Sequence, residues 1–433
     1  MGGDALLIIK RGSVGTEAAL LQTGLNRAGF GPLTPDGIFG AATERALKAF
    51  QRSGGLTPDG LFGPRTEAAL APWLRGYALH TIRPGDTLWR IAARYGTNLL
   101  SLETANPALD PFDLRPGQRL TVPYPFPVTP TDIPWGSAVT ETVTQGLVGR
   151  YPALVQREVF GQSVRGTPLY ALTVGEGPRE LLLSAAHHAN EWITAPLLLR
   201  YMEELLRAFV AGESVGGGAA EDIFYRCRLV FVPLVNPDGV DLVNGALPEP
   251  WYSRAEAIAR QWPAIVFPDG WKANAEGTDL NLQYPALWET AREIKFAQGF
   301  TGPAPRDYVG PAPLSAPESR ALSALTRRED PDLVLAFHTQ GEEIYWKFLD
   351  REIPGSRALG ELLARVSGYS LEETPYASGF AGYKDWFIDS FRRPGYTIEA
   401  GRGENPLPLS QFEAIWRACA PLITAAALGS DLA

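Results

Sequence analysis

The chain has 433 residues, 45% hydrophobic and 20% charged, which is the balance of a soluble globular protein long enough for two or more domains. Its net charge of -9 is unevenly shared: residues 1–124 carry 13 Lys and Arg against 10 Asp and Glu, so the front is slightly basic and the remainder acidic. Neither part has the basic face of a nucleic-acid binder, and no nucleic-acid partner is expected.

Met1–Lys10 holds an apolar core too short for a signal peptide, with an acid where a basic region belongs. No later run is long enough to cross a bilayer, so neither a signal peptide nor a transmembrane segment is expected. Cys227 falls in a predicted strand and Cys419 in the last predicted helix. They pair only if the fold brings them together, and buried free thiols are the commoner outcome.

A repeat opens the chain. Thr34-Pro-Asp-Gly-Ile-Phe-Gly returns as Thr57-Pro-Asp-Gly-Leu-Phe-Gly, which means two copies of one supersecondary unit. Each copy reads as a Pro-Asp-Gly turn followed by a helix capped by Thr43 or Thr66, and Thr16–Phe30 precedes them as an amphipathic helix. Next, Pro84-Gly85 turns the chain, Asp86 or Thr87 caps a helix with Leu88, Ile91 and Ala92 inward, and Leu120–Val122 returns as a strand. His80 belongs to the first strand of this segment and reads as structural. The proline-rich stretch up to Pro134 predicts a stiff, extended linker.

Beyond it, apolar runs alternate between strand and helix periods. Strands are predicted at 169–174, 181–186, 228–235, 333–337 and 396–399, with helices at 192–210, 316–328, 356–366, 383–391 and 409–428. This alternation implies a mostly parallel sheet flanked by helices, with a less regular stretch from Ala246 to Pro313 shaping a cleft.

Only four histidines exist: His80, His187, His188 and His338. His188, with Glu191 three residues on, follows the 181–186 strand, and His338 ends the 333–337 strand. Strand carboxyl ends are where open α/β sheets place ligands. An imidazole and a carboxylate at this spacing can converge on one cation, and a hydrolytic zinc ion takes about three protein ligands with one position open. His-x-x-Glu alone is a weak signal; a second strand end carrying histidine strengthens it.

These residues resemble the zinc carboxypeptidase-like (M14) peptidases over about Trp135 to the C-terminus. The resembling pieces are His188-Ala-Asn-Glu191-Trp, Asn236-Pro-Asp-Gly239, Trp271-Lys272, Asp279-Leu-Asn281, His338 and Tyr396-Thr-Ile-Glu399. The resemblance implies one zinc ion per catalytic domain, held by His188, Glu191 and His338, with Glu399 as general base and Asp279 orienting the first histidine. Lys272 stands where the family usually carries an oxyanion-stabilising arginine; a lysine supplies the charge without the bidentate fork. Tyr376 resembles the mobile tyrosine that covers substrate, with Tyr383 as a rival. His187 has no role in the family motif.

Where carboxypeptidases follow Asn281 with an arginine that clamps the terminal carboxylate, this chain has Leu282, which cannot bind one. What remains resembles the γ-D-glutamyl-diamino acid endopeptidases of sporulating bacilli, which share runs like Trp-Lys-Ala-Asn and Phe-His-Thr-Gln-Gly-Glu. About residues 12–74 resemble a three-helix peptidoglycan-binding domain, and Tyr77–Pro123 a LysM module of βααβ form that binds N-acetylglucosamine-containing glycans. The expected organisation is thus a helical peptidoglycan-binding domain (1–75), LysM (76–123), linker (124–134) and M14-like α/β peptidase domain (135–433).

The expected function is zinc-dependent cleavage of the γ-D-glutamyl–meso-diaminopimelate bond of stem peptides, with peptidoglycan as partner at a bacterial wall or spore. Asn281, Lys384 and Arg402 are candidates to meet the substrate's carboxylates. The competing readings are a carboxypeptidase that trims stem peptides and a catalytically inactive glycan-binding protein.

Overall fold

The computed structural model describes residues 8–429. Contacts divide the chain into two compact units, residues up to Pro134 with Ala138–Gln156, and Trp135–Ser137 with Arg157 onward.

In the first unit, helices α1 (Thr16–Arg27), α2 (Ala41–Ser53) and α3 (Pro64–Arg75) enclose Leu21, Leu25, Leu47 and Leu70. The repeated loops are held identically. Gln22 Nε2 donates to Asp36 Oδ1 (2.9 Å), Ile38 O (3.1 Å) and Thr43 Oγ1 (3.1 Å). Gln51 does the same to Asp59 (2.9 Å), Leu61 O (3.0 Å) and Thr66 (3.2 Å). Thr43 and Thr66 are therefore not helix caps. Gly40 and Gly63 occupy the cap positions, and the threonines sit inside the first turn, where they accept the glutamine of the preceding helix.

Strands β1 (Tyr77–Thr81) and β2 (Arg119–Pro123) pair antiparallel, with α4 (Leu88–Tyr95) and α5 (Leu99–Ala105) between them in sequence. Ile82, Leu88, Ile91, Leu102, Leu120 and Val122 form their core. Thr87 is the cap of α4, accepting from Arg90 N–H, while Asp86 instead holds His80 (2.9 Å) and the Arg83 N–H. The proline-rich stretch that follows is packed against this unit. Tyr124 stacks on Trp73 and Phe126, Arg27 donates to Pro127 O (2.7 Å), and Arg150 donates to Phe126 O (2.8 Å).

The second unit is built on an eight-stranded mixed sheet. Its strands are β3 (Val155–Gln162), β4 (Pro168–Val174), β5 (Arg179–Ala185), β6 (Cys227–Val232), β7 (Leu333–His338), β8 (Glu343–Tyr345), β9 (Ser370–Glu372) and β10 (Gly395–Glu399). The spatial order is β9-β8-β10-β7-β5-β6-β4-β3, and the four strands from β10 to β6 run parallel. Their side chains alternate between two buried faces, as a sheet covered on both sides requires. Leu182, Val230 and Val334 pack with Tyr383, Trp386 and Phe387, whereas Phe231 on the other face meets Tyr201 of the helix Thr194–Ala211.

The five strands expected from the sequence are present; β3, β8 and β9 are additional. Their half-exposed patterns carry no apolar run to read. Asn236-Pro-Asp-Gly239 is the start of the helix Pro237–Val243, with Asn236 as its cap. Cys227 and Cys419 are both buried and free. No helix among the described residues is long and apolar enough to cross a membrane.

Candidate metal centre

Parallel strands bring their carboxyl ends to one edge, and this sets the site. β5 ends at Ala185, β7 at His338 and β10 at Glu399, and the register places Glu399 directly opposite His338. After β5 the chain turns sharply through Ala186, whose φ is 52°. Thr194 Oγ1 locks this turn, accepting from Ala186 N–H (3.0 Å) and donating to Glu191 O (2.7 Å). Asn236 Nδ2 reaches His187 O (3.1 Å) and Ala273 O (3.0 Å), joining the turn to the loop that bears Lys272.

The geometry converges on three side chains. His188 Nδ1 lies 2.8 Å from Glu191 Oε1, His338 Nδ1 lies 2.8 Å from Glu191 Oε2, and the two Nδ1 atoms are 3.3 Å apart. One ligand atom from each of the three falls within 4.8 Å of the others. His188 Nε2 faces Asp279 Oδ1 at 3.2 Å, which fixes that ring's proton on Nε2 and leaves Nδ1 as a lone-pair donor. Two imidazole nitrogens and a carboxylate, with Glu191 and His338 buried and His188 partly so, facing one point, are a donor set that fits zinc.

Within the cluster the charges compensate one another. Burial opposes a charged His188, but Glu191 and Asp279 outweigh it and hold the ring up to about 9. Burial likewise opposes a charged Glu191, yet His188, Lys272 and His338 keep it well below the carboxylate range. Asp279 is also lowered against burial, chiefly by His188. Lys272 Nζ donates to Glu191 Oε1 at 2.8 Å. Glu399 behaves oppositely: burial and the Glu191 charge raise it to about 8, with Lys272 and His188 pulling the other way.

A cavity of about 210 Å³ opens beside the cluster, and His188, Lys272, Asp279, Asn281, Lys384 and Glu399 all line it. Asn281 Oδ1 accepts from Tyr383 N–H (3.0 Å). Lys384 is 3% exposed, with Nζ on Lys347 O (2.7 Å), Thr374 Oγ1 (3.0 Å) and Asp385 (2.7 Å). Leu282 contributes apolar wall. Two expected residues lie elsewhere. Tyr376 is exposed and packs edge-on to Phe380, and Arg402 pairs with Glu342 at 2.6 Å; neither lines this cavity. His187 is buried with its ring stacked on His338, centroids 5.4 Å apart.

Sequence reasoning missed Lys295, Arg306 and Asp307, which line the same cavity. The last two fall in an irregular stretch with no periodicity to read. A signal was available, since they are the only charged residues between Lys295 and Glu318.

A mostly parallel sheet with a His–Glu–His cluster and a half-buried glutamate at its carboxyl edge defines a metallohydrolase-like α/β domain. A family model described as zinc carboxypeptidase matches residues 140–420, and the chain belongs to that metallopeptidase family, M14. Models for a peptidoglycan binding domain and a LysM domain match residues 14–70 and 80–123.

Among relatives, the chain is 42% identical over 267 residues to γ-D-glutamyl-L-diamino acid endopeptidase 1 of Lysinibacillus sphaericus. That match covers 62% of this chain and 65% of the relative, just under two thirds of its length. An uncharacterized Bacillus subtilis protein, YqgT, is 37% identical over 66% of this chain and 75% of its own. The crystal structure of carboxypeptidase A from Helicoverpa armigera superposes with a TM-score of 0.53 at 16% identity, over 91% of this chain and 88% of that one. This last likeness is one of fold alone.

Proposed function

We propose that this protein is a zinc-dependent peptidoglycan hydrolase that cleaves the bond between γ-D-glutamate and the diamino acid of stem peptides. The observation that carries the reading is the His188–Glu191–His338 cluster, set beside the half-buried Glu399 in a cavity whose wall at Leu282 lacks the carboxypeptidase carboxylate clamp. The 42% identity to an endopeptidase of that specificity supports it.

His188, Glu191 and His338 would hold the zinc, which when bound supplies Lewis acidity to a water molecule and to the scissile carbonyl. Glu399 is the general base: it takes the attacking water's proton and returns it to the departing amine. A carboxyl raised by burial suits that double task, because it holds a proton more readily than an exposed acid. Lys272 places positive charge beside the developing oxyanion, and Asp279 keeps His188 in the ligand tautomer. Lys384 and Asn281 face the substrate's carboxylates. The expected modules 1–75 and 76–123 would hold glycan strands, and the peptidoglycan binding and LysM matches support a position at a bacterial wall or spore.

Exchanging Glu399 for Gln should lower turnover of a diaminopimelate muropeptide by at least about 100-fold, with metal content by elemental analysis unchanged. A Glu399→Gln variant that retains full activity would sink this mechanism. Lys384 favours a second reading, since a buried cation in the cavity could serve a carboxypeptidase in place of the missing arginine. Release of only a terminal residue would select it.

A further inference from the structure

Lys272 and Asp279 are backed by one short segment, Pro305–Tyr308. Pro305 O accepts from the N–H groups of Lys272 (2.8 Å) and Ala273 (2.9 Å), and Tyr308 O accepts from Asp279 N–H (2.9 Å). Asp307 N–H donates to Asp279 Oδ2 (3.1 Å), the carboxylate whose other oxygen orients His188. The segment is thus registered to the metal cluster by four hydrogen bonds, and it delivers Arg306 into the cavity shared by His188, Lys272 and Glu399.

Arg306 is half-engaged there. Its Nε donates to Asp307 Oδ2 (2.8 Å), while Asp307 Oδ1 is taken by Lys295 Nζ (2.5 Å). One carboxylate therefore answers two cations. Among the described residues, the terminal Nη groups of Arg306 donate to no protein acceptor, and its side chain is 42% exposed. A guanidinium fixed along one edge with its fork free is suited to bidentate capture of a carboxylate. Lys384 lines the same cavity, but its Nζ is already engaged by Lys347 O, Thr374 Oγ1 and Asp385.

We propose that Arg306 is the specificity residue that binds the free α-carboxylate of the γ-linked D-glutamyl group, on the acyl side of the scissile bond. An α-linked peptide has no carboxylate at that place, so the contact selects the γ linkage. The inference rests on the endopeptidase function proposed above.

The test is steady-state cleavage of two muropeptides that differ only there, one with the D-glutamate α-carboxylate and one with its amide, by wild type, Arg306→Gln and Arg306→Lys. Wild type is expected to prefer the carboxylate by roughly tenfold to a hundredfold in kcat/KM, carried mainly by KM. Arg306→Gln abolishes the preference by losing far more on the carboxylate than on the amidated substrate, and unchanged far-UV circular dichroism and metal content show that the variant is folded. Arg306→Lys keeps part of the preference, as a point charge without the fork. Equal losses on both substrates, or a wild type without preference, would overturn the assignment of Arg306 alone. Wild type that cuts neither substrate contradicts the endopeptidase function itself.

Discussion

Lys272 illustrates how one residue acts on both halves of the site. Its ammonium sits 2.8 Å from Glu191 and also lowers Glu399 against the burial that raises it. Under the proposed mechanism Glu399 works ionised, so removing this charge must raise its pKa and move the acid limb of kcat/KM to higher pH. Lys272→Met is expected to show that upward shift, and Lys272→Arg to restore the limb; an unmoved limb would separate Lys272 from Glu399. At this scale residue type at or just past strand ends singles out His188, His338 and Glu399 in the sequence, and the structure gathers them at one sheet edge. Arg306 was not readable, because hydrogen bonds from an aperiodic segment, and no motif, place it in the cavity. Arg402 was misplaced for a related reason: its proximity to Glu399 in sequence says nothing of the Glu342 that holds it outside.

Among the elements, the buried Glu318 on the helix Pro317–Glu329 bears on the site from behind. Its carboxylate accepts from Val164 N–H (2.9 Å) and Asn274 Nδ2 (3.3 Å). Asn274 in turn shapes the loop between Lys272 and Asp279 by accepting from Glu276 and Thr278 N–H. Burial raises Glu318 to about 7 from an ordinary 4.5. The unfolded chain then releases this proton first, so folding stability falls as pH rises from about 4.5 to 7, by up to roughly 3 kcal/mol. Below that window, and above it, the group adds no further slope.

Glu318→Gln cannot ionise, and its stability relative to wild type should improve by that amount between pH 5 and pH 8 in urea unfolding. A constant gap would contradict it. The repeated glutamine clamps teach the complementary lesson. The doubled Asp-Gly-x-Phe-Gly was visible as a repeat, but the partners Gln22 and Gln51 lie on preceding helices, so Thr43 and Thr66 read as caps until the fold was known.

For the whole molecule, modules were legible because each carries its own signature: a repeat, a strand–helix–helix–strand module, and βα alternation. The proline-rich stretch was read from composition as extended, and its packing through Tyr124, Phe126 and Val128 depends on Arg27 and Arg150 far away in sequence. Under the proposed function, glycan-binding modules joined to a peptidase raise the local concentration of stem peptides around the cavity.

The most direct measurement is mass spectrometry of a defined L-Ala-γ-D-Glu-diaminopimelate-D-Ala muropeptide incubated with the full chain, with and without a zinc chelator. The proposed cleavage yields a diaminopimelate-D-Ala fragment that disappears with chelator while the protein still sediments with peptidoglycan. Release of D-Ala alone, or cleavage indifferent to the chelator, would contradict it.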